Sequence, residues 1–160
     1  MDAMNFICCF TGHRNIPREK MRDLHRELER VLDILIRSGV TVFRTGGALG
    51  FDTLAALTVL DRRDEEPKIT LELYLPCEDQ TRGWSADDVE IYRYIRAASD
   101  RVTVLHEKYV TGCMHERNRC LVDGSHYCVA YCERSDGGSA YTVEYAKKKG
   151  VKVVNLSDYI

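Results

Sequence analysis

Six short apolar runs punctuate the chain, at Phe6–Phe10, Val40–Arg44, Ile69–Leu75, Arg101–Leu105, Tyr127–Tyr131 and Val151–Leu156, with helical patterns between them. Strands that alternate with helices are joined by crossovers, and a crossover returns the chain to pair in parallel. The pattern therefore predicts an α/β three-layer sandwich, with a mainly parallel sheet and helices on both faces. Between the first two runs, Leu24, Leu28, Val31, Leu32, Leu35 and Ile36 recur at spacings of three and four, one apolar stripe on a long helix. Pro17 suits the first turn of that helix and Gly39 its end. A second helix, from about Gly50 to Leu60, is apolar almost all round. Further helices are expected over Ala86–Ala98, Met114–Val122 and Ser139–Lys149, while Asp61–Lys68, with Pro67 blocking helix continuation, reads as a solvated loop.

The chain of 160 residues fits one domain spanning 1–160, with 44% apolar and 30% charged residues. No run is long enough to cross a bilayer, and the first residues lack a basic leader, so no membrane association is expected. A net charge of −2, with acids and bases intermixed, gives no broad footprint for a polyanion and marks nucleic acid as an unlikely partner. Seven cysteines, an odd number with two adjacent in the first run, argue against a disulfide framework and for a reducing cytoplasm. Cys128 and Cys132 share a strand face near His126, but no CxxC pair accompanies them. Buried thiols are the reading, with no metal and no resident cofactor.

Three strand exits carry the chemistry. The first run leads into Thr11-Gly12-His13-Arg14, the second into Thr45-Gly46-Gly47-Ala48-Leu49-Gly50, and the fifth into Asp136-Gly137-Gly138-Ser139. In an open α/β sheet such exits converge on one crevice. Glycines let backbone N–H groups approach an anion, and a helix N-terminus adds unsatisfied donors, so phosphate is the expected guest. Neither a complete G-x-G-x-x-G nor a Walker A lysine is present, which disfavours a nicotinamide dehydrogenase or a P-loop enzyme.

Taken together, TGHR, TGGALGFD, EDQTRGW at Glu78–Trp84, Met114-His115-Glu116-Arg117-Asn118, Val122-Asp123-Gly124-Ser125 and GGSAYTVEYA at Gly137–Ala146 resemble the YpsA-like family of the SLOG superfamily. The resemblance implies a Rossmann-like fold related to the DNA-processing protein DprA and to the lonely-guy phosphoribohydrolases. It also implies a sensor of nucleotide-derived ligands, and a second copy of the chain is a candidate partner. Arg117 falls where lonely-guy enzymes carry a functional arginine, and Gly137, Gly138, Thr142 and Glu144 look like their PGGxGTxxE motif. Here Asp136 replaces the proline, one extra residue precedes Thr142, and Glu144 follows Thr142 by two positions rather than three.

The ligand-binding candidates are therefore Thr11, Gly12, His13, Arg14, Gly46, Gly47, Gly50, Asp52, Trp84, Arg117, Gly137, Gly138, Ser139 and Thr142. The catalytic candidates, should the chain be an enzyme, are Arg117 and Glu144. Arg117 would grip a phosphate or ribose with its planar fork, or else form a surface ion pair. Asp52 would suit the dipole of the second helix and accept from a ribose hydroxyl. Trp84 would wall a base or anchor packing. The leading expectation is binding or sensing of a nucleotide or NAD-derived small molecule. The alternatives are N-glycoside hydrolysis of a nucleoside 5′-monophosphate, or DprA-like binding of single-stranded DNA.

Overall fold

The computed structural model describes residues 5–160. Its six strands, β1 (Phe6–Gly12), β2 (Val40–Thr45), β3 (Thr70–Leu75), β4 (Arg101–Val104), β5 (Tyr127–Tyr131) and β6 (Lys152–Asn155), form one sheet in the order β4-β3-β2-β1-β5-β6. Every pairing is parallel. Five helices, α1 (Arg18–Arg37), α2 (Phe51–Glu65), α3 (Ala86–Ala98), α4 (Cys113–Val122) and α5 (Gly138–Lys148), supply the crossovers, and a 3₁₀ turn at Leu156–Tyr159 closes the chain. The arrangement is the three-layer, Rossmann-like sandwich that the alternating runs predict.

The α1 stripe is buried as its spacing requires: Leu24, Leu28, Val31, Leu32, Leu35 and Ile36 all face the sheet. Each such side chain contributes roughly 1.5–3 kcal/mol by leaving water. They join Phe10, Phe43, Phe51 and the β3 leucines in the main core, which α1, α2 and α3 cover. On the other face α4 and α5 pack together over a smaller cluster made of Cys9, Leu121, Val122, Cys128, Ala146 and Val151.

One element departs from expectation. Asp61–Glu65 is not loop but the last turn of α2, which stops at Glu65, two residues before Pro67. Arg62 pairs with Asp33 of α1, and Arg63 reaches Asp100 and the carbonyl of Ala98 at 2.8 and 2.9 Å. These partners lie far along the chain and hold a charged turn that composition alone reads as solvated. Strand β1 also runs two residues further than its apolar run, because Thr11 and Gly12 continue the ladder against Ala130 and Tyr131.

Candidate functional site

The chain steps outward from β1 through β2 and β3 to β4, then returns to place β5 on the other side of β1. At this reversal the connections leave in opposite directions and open a crevice at the carboxyl ends of the strands. A cavity of about 410 Å³ occupies it, bounded by Phe10–Arg14, by Ala48 and Asp52 of the second exit, by Met114, His115, Arg117 and Asn118 of α4, and by Arg134 and Asp136–Ser139. The three exits therefore meet as expected.

Arg117 is the most constrained charge in the site, at 4% exposure. Its Nη1 donates to the carbonyl of Gly46 at 2.5 Å and to Oε1 of Gln80 at 3.2 Å, and its Nε donates to Oδ1 of Asn118 at 2.8 Å. Gln80 in turn donates to the carbonyl of Gly47 at 3.1 Å. The expected exposed fork at a helix start is instead a buried brace in the second turn of α4, fastened to the TGG turn. A Cβ on Gly46 would lie 2.7 Å from Arg117 Nη1, so glycine there makes room for the guanidinium. Gly47 has φ +69°, and a Cβ on it would meet Leu75 Cδ2 at 2.9 Å. Both positions turn toward protein.

Asp52 is buried in the first turn of α2 and accepts from the Ala48 N–H at 3.2 Å. Burial pushes its carboxyl above the usual range, against the pull of the Arg117 guanidinium, the Ala48 N–H and Arg14. Burial likewise lowers Arg117, opposed by Asp52. His13 is held below the ordinary imidazole value, chiefly by burial, and its Nε2 accepts from the Glu133 N–H at 2.8 Å while its ring packs edge-on against Tyr131. A neutral imidazole suits that acceptor role.

Arg14 differs from both. Its side chain is exposed at the cavity wall and makes no hydrogen bond or ion pair among the described residues, whereas Arg134 is held by Asp136 at 3.1 Å. Gly137, at φ +93°, and Gly138 open α5 onto the cavity, and a Cβ on either would meet nothing closer than Asn118 Nδ2 at 4.0 Å. Ser139 lines the cavity beside them.

Several candidates stand outside the cavity lining. Thr142 is buried and donates to the Gly138 carbonyl at 2.8 Å, Gly50 lies against the backbone of His13 and Arg14, and Trp84 packs edge-on against Tyr92. Glu144 is exposed on the outer side of α5, 3.7 Å from Lys147. Conversely, Met114, His115 and Asn118 line the cavity although the residue types alone gave no reason to single them out from their motif, and Gln80 acts through Arg117. Cys128 is buried beside Cys9, while the Cys132 thiol donates to the Arg134 carbonyl. Among the described residues there is no group of three or more His, Cys, Asp or Glu placed to hold a metal. No helix there is long and apolar enough to cross a membrane.

Sheet order and crevice together define a Rossmann-like α/β protein whose cavity lies at the topological switch point. The family described as the YspA SLOG family matches residues 8–158, and the chain belongs to it. A UPF0398 protein of Bacillus thuringiensis (strain Al Hakam) is 30% identical over 139 residues, covering 85% of this chain and 75% of that protein. A UPF0398 protein of Bacillus anthracis (strain A0248) is 29% identical over the same length and shares of the two chains. DNA processing protein A from Helicobacter pylori, in a structure describing its single-stranded DNA binding mode, has the same fold. It shows a TM-score of 0.67 at 17% identity over 96% of this chain and 70% of that one. DprA from Streptococcus pneumoniae aligns with a TM-score of 0.66 at 16% identity, over 93% and 49% respectively.

The Helicobacter protein corrects the expectation that nucleic acid is an unlikely partner. Net charge describes a whole surface, whereas a strand meets a local groove, and here Arg14, Arg117 and Arg134 line one crevice together with Asp52 and Asp136. Balanced composition is no ground for exclusion on a fold that also serves a single-stranded DNA binder.

Proposed function

We propose that the chain binds a phosphate-bearing nucleotide or nucleotide derivative in the crevice between the β1 and β5 exits. One observation carries the reading: the exposed guanidinium of Arg14, uncommitted among the described residues, faces the same cavity as the open N-terminus of α5 at Gly137–Ser139. A phosphate between them would receive a charge-assisted contact from one side and backbone donors with a favourable dipole from the other. Buried Asp52, which lines the same cavity, supplies an acceptor suited to a sugar hydroxyl. Glu144 lies outside this lining, so the geometry offers no support for hydrolysis through that carboxylate.

Calorimetric titration with nucleoside monophosphates, ADP-ribose and ribose 5-phosphate tests the reading. Arg14→Ala is expected to weaken a phosphorylated ligand by about 1.5–3 kcal/mol, the worth of a charge-assisted hydrogen bond, with melting temperature unchanged. Unaltered affinity in that variant would remove Arg14 from the site. A second reading, binding of single-stranded DNA, is favoured by the fold shared with the Helicobacter protein. It requires affinity that falls steeply as salt rises, with a slope set by the number of phosphates contacted.

A further inference from the structure

Beside the crevice, on the outer side of α5, lies a second recess of about 470 Å³ that shares Asp136 and Gly137 with the first. The rest of its lining is Ser135, Ala140, Tyr141, Glu144, Tyr145 and Lys148. The two tyrosine rings are nearly parallel, 13° apart with centroids 6.4 Å apart, and Tyr141 also contacts His115 of the crevice wall at 4.2 Å. Both hydroxyls are tied down: Arg119 donates to Tyr141 at 2.9 Å, and Tyr145 donates to Asp123 at 2.6 Å. The rings are thus held in place before any ligand arrives, so little side-chain freedom is lost on binding.

We infer that this recess seats an amino-bearing nucleobase, guanine best of all, while the phosphate of the same nucleotide lies in the crevice. This rests on the crevice reading above and extends it. A fixed aromatic surface favours a planar heterocycle, and stacking on such a surface raises affinity roughly five- to hundredfold. The carboxylates select orientation. Glu144 lines the recess and not the crevice, with Lys148 beside it, and an ionised carboxylate can only accept hydrogen bonds. Asp136 is already held by Arg134, whereas among the described residues Glu144 pairs only with Lys147, at 3.7 Å, which leaves its oxygens free for a base. Guanine presents two adjacent N–H donors to such a group, and uracil sets carbonyl oxygens against it. The continuity at Asp136–Gly137 lets one nucleotide span both spaces.

The test compares GMP, UMP and ribose 5-phosphate by calorimetry on the parent chain and on Tyr141→Leu, Glu144→Gln and Arg14→Ala. GMP is expected to bind at least tenfold more tightly than UMP or ribose 5-phosphate. Tyr141→Leu should bring GMP down to the ribose 5-phosphate level without altering the latter, and Glu144→Gln, at a side chain 66% exposed, should erase the preference for GMP over UMP. Equal binding of GMP and ribose 5-phosphate by the parent, or of GMP and UMP, overturns the proposal. A Glu144→Gln protein that keeps the full preference overturns it too, and this variant decides the matter if Tyr141→Leu fails to fold. If ribose 5-phosphate binds and is weakened by Arg14→Ala while GMP gains nothing, the recess fails and the crevice stands. If neither ligand binds the parent, both fail.

Discussion

A guanidinium at 4% exposure is costly unless its donors and charge are met, and Arg117 meets them with a carbonyl, two side-chain amides and the nearby Asp52 carboxylate. Truncating such a group leaves Asp52 and the Gly46 carbonyl buried without it. Arg117→Ala is therefore expected to cost about 1.5–3 kcal/mol of stability, the worth of hydrogen bonds from a charged group to buried partners. Chemical denaturation with a two-state fit measures this, and Arg117→Lys should recover little because one ammonium cannot replace the fork. A stability loss under about 1 kcal/mol, the range of a surface ion pair, would return Arg117 to the exposed role that its sequence suggests. The motif singles the residue out, but not the direction of its side chain. Nothing in MHERN reveals that Gly46, far away in the chain, leaves space for a guanidinium.

Elements were legible where local pattern and tertiary environment agree. The α1 stripe and the glycine pairs at strand exits are such cases, since a spacing of three and four dictates a buried face and a tight exit needs glycine. The pattern fails where distant partners decide, as in the last turn of α2, held by Asp33 and Asp100. The segment after β3 is another case. There Glu78 pairs with Arg96 of α3 through two contacts, at 2.8 and 2.9 Å, and fixes the turn that carries Gln80 to the TGG exit. The Arg96 hydrogen bonds hold the Glu78 carboxyl below its ordinary value of 4.5. A carboxylate depressed in the folded state stabilises above its unfolded pKa and loses that contribution as pH falls through the folded one. Because the pair is exposed, its worth is under about 1 kcal/mol. Glu78→Gln should thus lower the melting temperature by about 1–3 °C at pH 7, and the difference should vanish below the ordinary carboxylate range. A difference that persists unchanged at pH 3 would show that shape rather than charge holds the turn.

Across the whole molecule the sheet separates two layers of unequal strength. Cys8 and Cys9 are adjacent, and because strand side chains alternate, Cys8 points into the main cluster of 24 buried residues and Cys9 into the opposite cluster of six. Both are fully buried, as is Cys128, so none reacts with a thiol reagent until its layer opens. Layers with fewer apolar contacts open at lower free energy than the whole fold. In a Cys120→Ser, Cys132→Ser background, which removes the two half-exposed thiols, labelling in sub-denaturing urea should therefore reach Cys9 and Cys128 before Cys8. Peptide mass mapping resolves the order, and the opening free energy at Cys9 should lie about 1–3 kcal/mol below that at Cys8. The weaker layer is also the one that lends α4 and α5 to the crevice. A ligand seated there binds only while that layer is closed, so at a hundred times its dissociation constant it should add about 2.7 kcal/mol to the opening at Cys9. Opening of the main layer also dismantles the crevice, which Arg14 and Asp52 help to wall, so Cys8 should gain the same protection and the order of labelling should persist. Identical labelling of Cys8 and Cys9 at every urea concentration would mean that the faces open as one unit. Protection of Cys9 unchanged by a bound nucleotide would place that nucleotide away from α4 and α5.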